Sequence, residues 1–407
     1  MPDAKRLMSF LLGHLHWVIF GRVYTSALAL LLSVVLSRSM PIEGYGQYQF
    51  YVSAFSLAAV FSLTSSTNTL LKYAAIGYEC SYRIIFKFRL RFSFLGSIAL
   101  IVWGLLVSSG DDVWVFVGLA LLLPIFNSCD LFEYLYQARI QFKSLNLIYI
   151  IRSTFTVVAP IVTFLVSRDV ILTLFAYLGC FSLVNLIFHI HSLKGLKSEI
   201  IPDSELTKKI KLESLFLSLA GIASLACLHL DRVLIYNQMD AKSLAIYANG
   251  MILGLSINAL FKTVLGTING RLAFVEIKHW HYYGVLTFGT ILGFLGVVFM
   301  PLFIWVLFGE KFSDSVVFGQ IVLGSLGVYL VSNLLFDNVM FGKQNNIKAI
   351  YINNLVVSLG QFLSLFGVFH IFSDSEYLLI MFALQYPWKA FLNIAVLLLS
   401  KRILNIG

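Results

Sequence analysis

Charge is what this sequence has least of. Charged side chains make up 12% of its 407 positions, about half the ~25% that a soluble domain uses to cover its surface. Apolar residues reach 59%, and the mean hydropathy is +0.87. A water-soluble globular fold is thereby excluded, and the chain reads as an integral membrane protein. Cysteine is also scarce: Cys80, Cys129, Cys180 and Cys227 lie far apart with no CxxC spacing, which argues against a disulfide framework or a zinc site. The sequence has no Walker loop, HExxH or GxSxG motif, so ATP hydrolysis, zinc-protease and serine-hydrolase chemistries lack their residues. The histidine pairs His14/His16, His189/His191 and His279/His281 are each two apart at span edges. That spacing puts the members of a pair on different helix faces, so no metal or other cofactor is expected.

What is present is a series of apolar runs. Spans of membrane-crossing length fall at roughly 17–36, 47–67, 92–108, 113–131, 148–167, 170–190, 212–230, 244–265, 284–308, 316–336, 349–372 and 377–400. The expected fold is all-α, a polytopic membrane protein of twelve helices. Met1–Arg6 is short and basic, and no small-residue cleavage site follows the first apolar run, so that run reads as a retained helix. An even number of spans places both termini on one side. With the N-terminus inside, that side receives Lys5, Arg6, Lys72, Arg83, Lys87, Arg89, Arg91, Arg139, Lys143, Arg152, Lys194, Lys197, Lys208, Lys209, Lys211, Lys262, Arg271, Lys278, Lys343, Lys348, Lys401 and Arg402. Five bases fall on the other side: Arg38, Arg168, Arg232, Lys242 and Lys311. A split of twenty-two to five makes both termini cytoplasmic. The net charge of +9 then reflects cytoplasmic loops facing anionic lipids rather than nucleic acid.

The external connections are all short, so nothing outside is large enough to fold. The polar link His191–Lys211, containing Pro202, divides six spans from six. This gives an N-terminal bundle (1–191), a linker (192–211) and a C-terminal bundle (212–407). Ser37–Arg38 followed by Gly44–Tyr48 in the first half parallels Asp231–Arg232 followed by Leu244–Tyr247 in the second. The likeness suggests two pseudo-symmetric six-helix bundles around a central cavity.

An ionisable residue inside a span costs about 2.5–3.5 kcal/mol on insertion scales, so those present mark cavities or partners. Arg22 in the first helix, Lys262 near the inner end of the eighth and Lys389 in the middle of the twelfth, just after Pro387, are the basic candidates. Asp130 and Glu133, three apart on one helix face, offer a protonatable or cation-binding pair, or else partners for Arg139. Asn68 and Lys72, in and after the hydroxyl-rich run Thr64–Thr69, are candidate polar lining, as are Asn249 and Ser256. Such residues also serve to tie helices together.

The run Trp17, Phe20, Gly21, Arg22, then Leu36, Ser37, Arg38, Met40, Glu43, Tyr45, Gly46, Tyr48 resembles the opening of the O-antigen and polysaccharide flippases. These form the polysaccharide transporter branch of the multidrug, oligosaccharidyl-lipid and polysaccharide exporter superfamily. Asp231, Arg232, Leu234, Ile235 with Ile246, Tyr247, Ala248 is similar to the start of that family's second half. The resemblance implies transport of an undecaprenyl-diphosphate-linked oligosaccharide from the inner to the outer leaflet of a bacterial inner membrane. It further implies alternating access through a basic cavity, coupling to an ion gradient, and work alongside an O-antigen polymerase and a chain-length regulator. Arg22, Arg38 and Arg232 match the family's positions and become the candidate diphosphate contacts, a role suited to the guanidinium fork. Two alternatives remain: a multidrug cation antiporter of the same superfamily, which would favour acids over bases within the spans where this sequence places Arg22 and Lys389, and an O-antigen polymerase, an enzyme, which would carry a larger external loop than Asp231–Ser243.

Overall fold

The computed structural model describes residues 2–107, 112–196, 203–272, 277–341, 347–373, 375 and 377–403, with side chains from Phe20 onward except at 220, 224, 262–272, 341, 347–348 and 401–403. Among the described residues there is no strand. The helices are α1 (Pro2–Ser39), α2 (Ile42–Ala59), α3 (Ser66–Ala75), α4 (Ser81–Val107), α5 (Asp112–Ser128), α6 (Phe132–Ala138), α7 (Phe142–Ser167), α8 (Val170–Lys194), α9 (Ser204–Gln238), α10 (Ala241–Leu272), α11 (His279–Leu307), α12 (Val316–Gly324), α13 (Leu326–Phe341), α14 (Ile347–Phe372) and α15 (Leu378–Ile403). Nine stretches among the described residues are long and apolar enough to cross a membrane, or twelve if each bent pair counts as one span. Each of the twelve sequence-derived spans has its counterpart. Large apolar side chains such as Leu106, Trp114, Val166 and Phe294 are exposed, as the hydrocarbon phase requires and water would penalise. The protein is a multi-pass membrane protein.

The chain forms two compact units, one of Met1–Leu32 with Tyr51–His229 and one of Ser33–Phe50 with Leu230–Gly407. The chain passes between them within α1, α2 and α9. This division differs from the one drawn from the sequence at residues 33–50 and through the linker to 229.

In the first unit, α7 ends at Ser167 and Arg168 turns the chain at φ 56°. Asp169 then caps α8, its carboxylate accepting from the backbone N–H of Ile171 at 2.7 Å and Leu172 at 3.0 Å, a bonding pattern typical of an N-cap. The second predicted span does not continue as one helix. It breaks after the 3₁₀ turn Val60–Ser62, where Leu63 adopts φ 52°, and α3 leaves at 51° to α2. Past the break, Thr67 Oγ1 donates to the Thr64 carbonyl in the first turn of α3.

In the second unit, Gly46 of α2 meets the start of α10 so closely that a Cβ would fall 1.7 Å from the Ala241 carbonyl oxygen. Only glycine permits that approach of two backbones. An amide ladder joins three helices of this unit: Asn353 of α14 donates to Asn393 of α15 at 2.5 Å, and Asn393 donates to Ser332 of α13 at 2.7 Å. Interhelical bonds of this kind substitute for the hydrophobic drive that lipid does not supply.

Candidate functional site

The first unit contains a polar network in its interior. Arg89 lies eight residues into α4 and Arg152 ten residues into α7, about 12 and 15 Å from their helix starts at 1.5 Å per residue. Arg89, 2% exposed, pairs with Asp130 at 3.0 Å. Arg152, 12% exposed, pairs with Glu133 and donates to Asn185 of α8 at 3.1 Å. Tyr149, one helical turn before Arg152, donates its hydroxyl proton to Glu133 at 2.7 Å. Arg22 of α1 completes the chain, donating from Nη2 to the Tyr149 hydroxyl oxygen at 3.1 Å with its guanidinium 4.4 Å from the centre of the Tyr149 ring.

Three arginines thus face two carboxylates. Arg89 and Arg152 each have one; Arg22 has none within ion-pair distance among the described residues, and is held by a neutral hydroxyl and a ring face. The network therefore carries one surplus positive charge, and it resides on Arg22. A guanidinium stacked on an aromatic ring keeps most of its donors available.

Of the sequence candidates, Arg22, Asp130 and Glu133 meet in this network; one of the two readings of the acids made them partners for Arg139. That pairing is corrected by the structure. Arg139 donates to both Glu79 carboxylate oxygens, at 2.8 and 2.6 Å, and to the Gly195 carbonyl. The Glu79 carboxylate raises the guanidinium pKa above its ordinary value. Arg89 and Arg152 were assigned to the cytoplasmic edge because their spans were started too late or treated as boundary. Phe88, Leu90 and Phe92 around Arg89, and the position of Arg152 inside the run starting at 148, were the available signals.

The remaining candidates are dispersed. Arg38 is exposed in the second unit and donates from Nε to the Leu307 carbonyl at 2.8 Å and from Nη2 to that of Val306. Lys311 in turn donates to the Met40 carbonyl at 2.9 Å. Each cation thereby caps the carbonyl end of the other's neighbouring helix, where the dipole favours positive charge. Arg232, half-buried on α9, follows Asp231, whose carboxylate accepts from the Tyr247 hydroxyl at 2.6 Å. Lys389 is half-buried on α15 and does not stand unpartnered. Asn249 is fully buried on α10, with neither amide atom hydrogen-bonded among the described residues, and Ser256 is half-buried on the same helix. Asn68 is exposed on α3; Lys72 is exposed and pairs with Glu213 at 2.9 Å. The Lys262 side chain lies outside the described residues. No group of three potential metal ligands occurs among the described residues.

Comparison with known proteins matches this architecture to a class. A family model described as polysaccharide biosynthesis protein matches residues 12–267, well over half of the chain. The chain belongs to that family. Among solved structures it is similar to the lipid II flippase MurJ in an inward closed conformation, with 13% identity, 95% of this chain and 87% of that one covered, and a TM-score of 0.67. It is also similar to a mutant of the Vibrio cholerae MATE transporter VcmN, with 13% identity, 99% and 98% covered, and a TM-score of 0.63. A third similar structure is an outward-facing multidrug resistance MATE family transporter of the MOP superfamily, with 14% identity, 96% and 95% covered, and a TM-score of 0.60. At such identities the likeness is one of fold. No curated protein matches the sequence.

Proposed function

We propose that the protein is a flippase that carries an undecaprenyl-diphosphate-linked oligosaccharide, the repeat unit of an O-antigen or similar surface polysaccharide, from the inner to the outer leaflet of a bacterial inner membrane by alternating access, with both termini in the cytoplasm. Membership of the polysaccharide biosynthesis family supports the cargo class. The observation that carries the reading is the surplus charge on Arg22. A diphosphate cannot enter hydrocarbon without compensating positive charge, and Arg22 offers it on a guanidinium with no competing carboxylate. A carrier of organic cations would need an excess of acid, and this network has an excess of base.

Asp130 and Glu133 are the groups through which an ion gradient would couple. Glu133 holds both Tyr149 and Arg152. Arg232, Lys262 and Lys389 are proposed as further basic contacts along the path, with Arg38 contributing its remaining Nη1.

Deleting the gene tests the reading. The expected result is loss of surface polysaccharide with accumulation of the lipid-linked repeat unit on the cytoplasmic leaflet, read by extraction and leaflet-selective labelling. Normal surface polysaccharide would contradict it.

A further inference from the structure

We propose that the cleft between α4 and the first turns of α9 binds the phosphate headgroup of an anionic phospholipid, independently of the transported substrate. A cavity of about 340 Å3 lies there, lined by Phe88 of α4 and by Ser204, Thr207, Lys208, Lys211 and Leu215 of α9. Flanking Phe88, the first three turns of α4 carry three exposed bases, Arg83, Lys87 and Arg91. Residues four apart share one helix face, so these form a continuous stripe, and Phe88 of the cavity wall is the i−3 neighbour of Arg91.

None of these five cations has a carboxylate within ion-pair distance among the described residues. The contrast within the same unit is informative. Lys72, Arg89, Arg139 and Arg152 each take a carboxylate, and in doing so use Glu213, Asp130, Glu79 and Glu133. Near the cleft the acids are Glu205, which is exposed, and Asp203, whose carboxylate accepts from the backbone N–H of Leu206 as a helix cap. The patch keeps a net surplus of base. Its hydroxyls, Ser204 and Thr207, supply neutral donors for phosphate oxygens.

The other side of the cleft selects a lipid rather than free phosphate. α9 is fixed to the protein by Ile210, fully buried, and by Leu206, both in a core cluster with Tyr82 and Phe132. Lys208 and Lys211 line the same cleft as the apolar side chains of Leu212, Leu215 and Phe88, beside exposed Phe216. Bases and apolar side chains sharing one cleft match a headgroup with acyl chains attached, and bases near an anionic leaflet are attracted to it individually.

The test uses the full-length protein in detergent, with native mass spectrometry during titration of phosphatidylglycerol, phosphatidylethanolamine or inorganic phosphate. Phosphatidylglycerol is expected to be retained preferentially. The double variant Lys208→Gln/Lys211→Gln is expected to bind it on the order of tenfold more weakly, while Lys242→Gln, exposed on α10, is expected to bind as wild type. Should the α9 variant fold poorly by thermal melting, Arg83→Gln/Lys87→Gln on the α4 stripe provides the same reading. Equal retention of the two lipids, unchanged binding in both double variants, or displacement by millimolar inorganic phosphate would overturn the proposal.

Discussion

Replacing Arg22 by Ala is expected to abolish surface polysaccharide while leaving the protein in the membrane at its normal level. The argument rests on what the side chain touches. Its contacts are the Tyr149 hydroxyl and ring, and the hydroxyl keeps its bond to Glu133 when Arg22 is gone. No carboxylate is orphaned, so the folded state loses little. The proposed anion loses the one guanidinium of the network that has no carboxylate partner among the described residues. Truncating one partner of a buried charge pair costs about 2–5 kcal/mol, or roughly 30-fold to several thousand-fold in affinity. Arg22→Lys keeps the charge but loses the planar fork and the stacking on Tyr149, and should fall between wild type and Ala. Polysaccharide on gels and immunoblots of membranes give the two readings. Full-length polysaccharide in Arg22→Ala would remove Arg22 from the transport path.

Glu133→Ala is expected to act on stability first. Glu133 and Arg152 are 13% and 12% exposed, and removal of the carboxylate leaves Arg152 without its ion-pair partner and Tyr149 without an acceptor for its hydroxyl. Breaking a buried pair from one side costs about 3–5 kcal/mol, which should appear as a large drop in the melting temperature of the purified protein. Glu133→Gln should lose much less, since an amide oxygen can still accept from Tyr149 and Arg152. The exposed pair Lys72–Glu213, with Lys72 at 57%, provides the contrast: exposed pairs contribute about 0–1 kcal/mol. Equal melting of Glu133→Ala and wild type would mean that the network does not brace the interior of the first unit.

Much of this was legible in the sequence, and the reason is physical. Hydrocarbon demands long apolar runs, so all twelve spans could be read from hydropathy alone, and Arg22 was conspicuous because it interrupts one. The helix break at Leu63 was not legible, because a window average registers Thr64–Thr69 as mild polarity and carries no information on backbone φ. Partners were legible only in part. The spacing of Asp130 and Glu133 showed that they share a face, but that face meets α4 and α7, bringing Arg89 and Arg152, whereas Arg139 lies beyond the helix end beside Glu79. Which helices adjoin is a tertiary fact that no single span encodes. Arg38 shows the same limit: its motif position was recognisable, its bonds to the carbonyls of Val306 and Leu307, some 270 residues away, were not.

The central claim is that this chain moves a diphosphate-linked glycan and that Arg22 supplies the charge for it. The most direct measurement reconstitutes the purified full-length protein in vesicles carrying an undecaprenyl-diphosphate-linked oligosaccharide, with a membrane-impermeant sugar-specific reagent reporting its leaflet. Wild-type vesicles should expose the internal pool far faster than protein-free vesicles, and Arg22→Ala vesicles should be no faster than protein-free ones. Translocation by wild type at the protein-free rate, or by Arg22→Ala at the wild-type rate, would contradict the account.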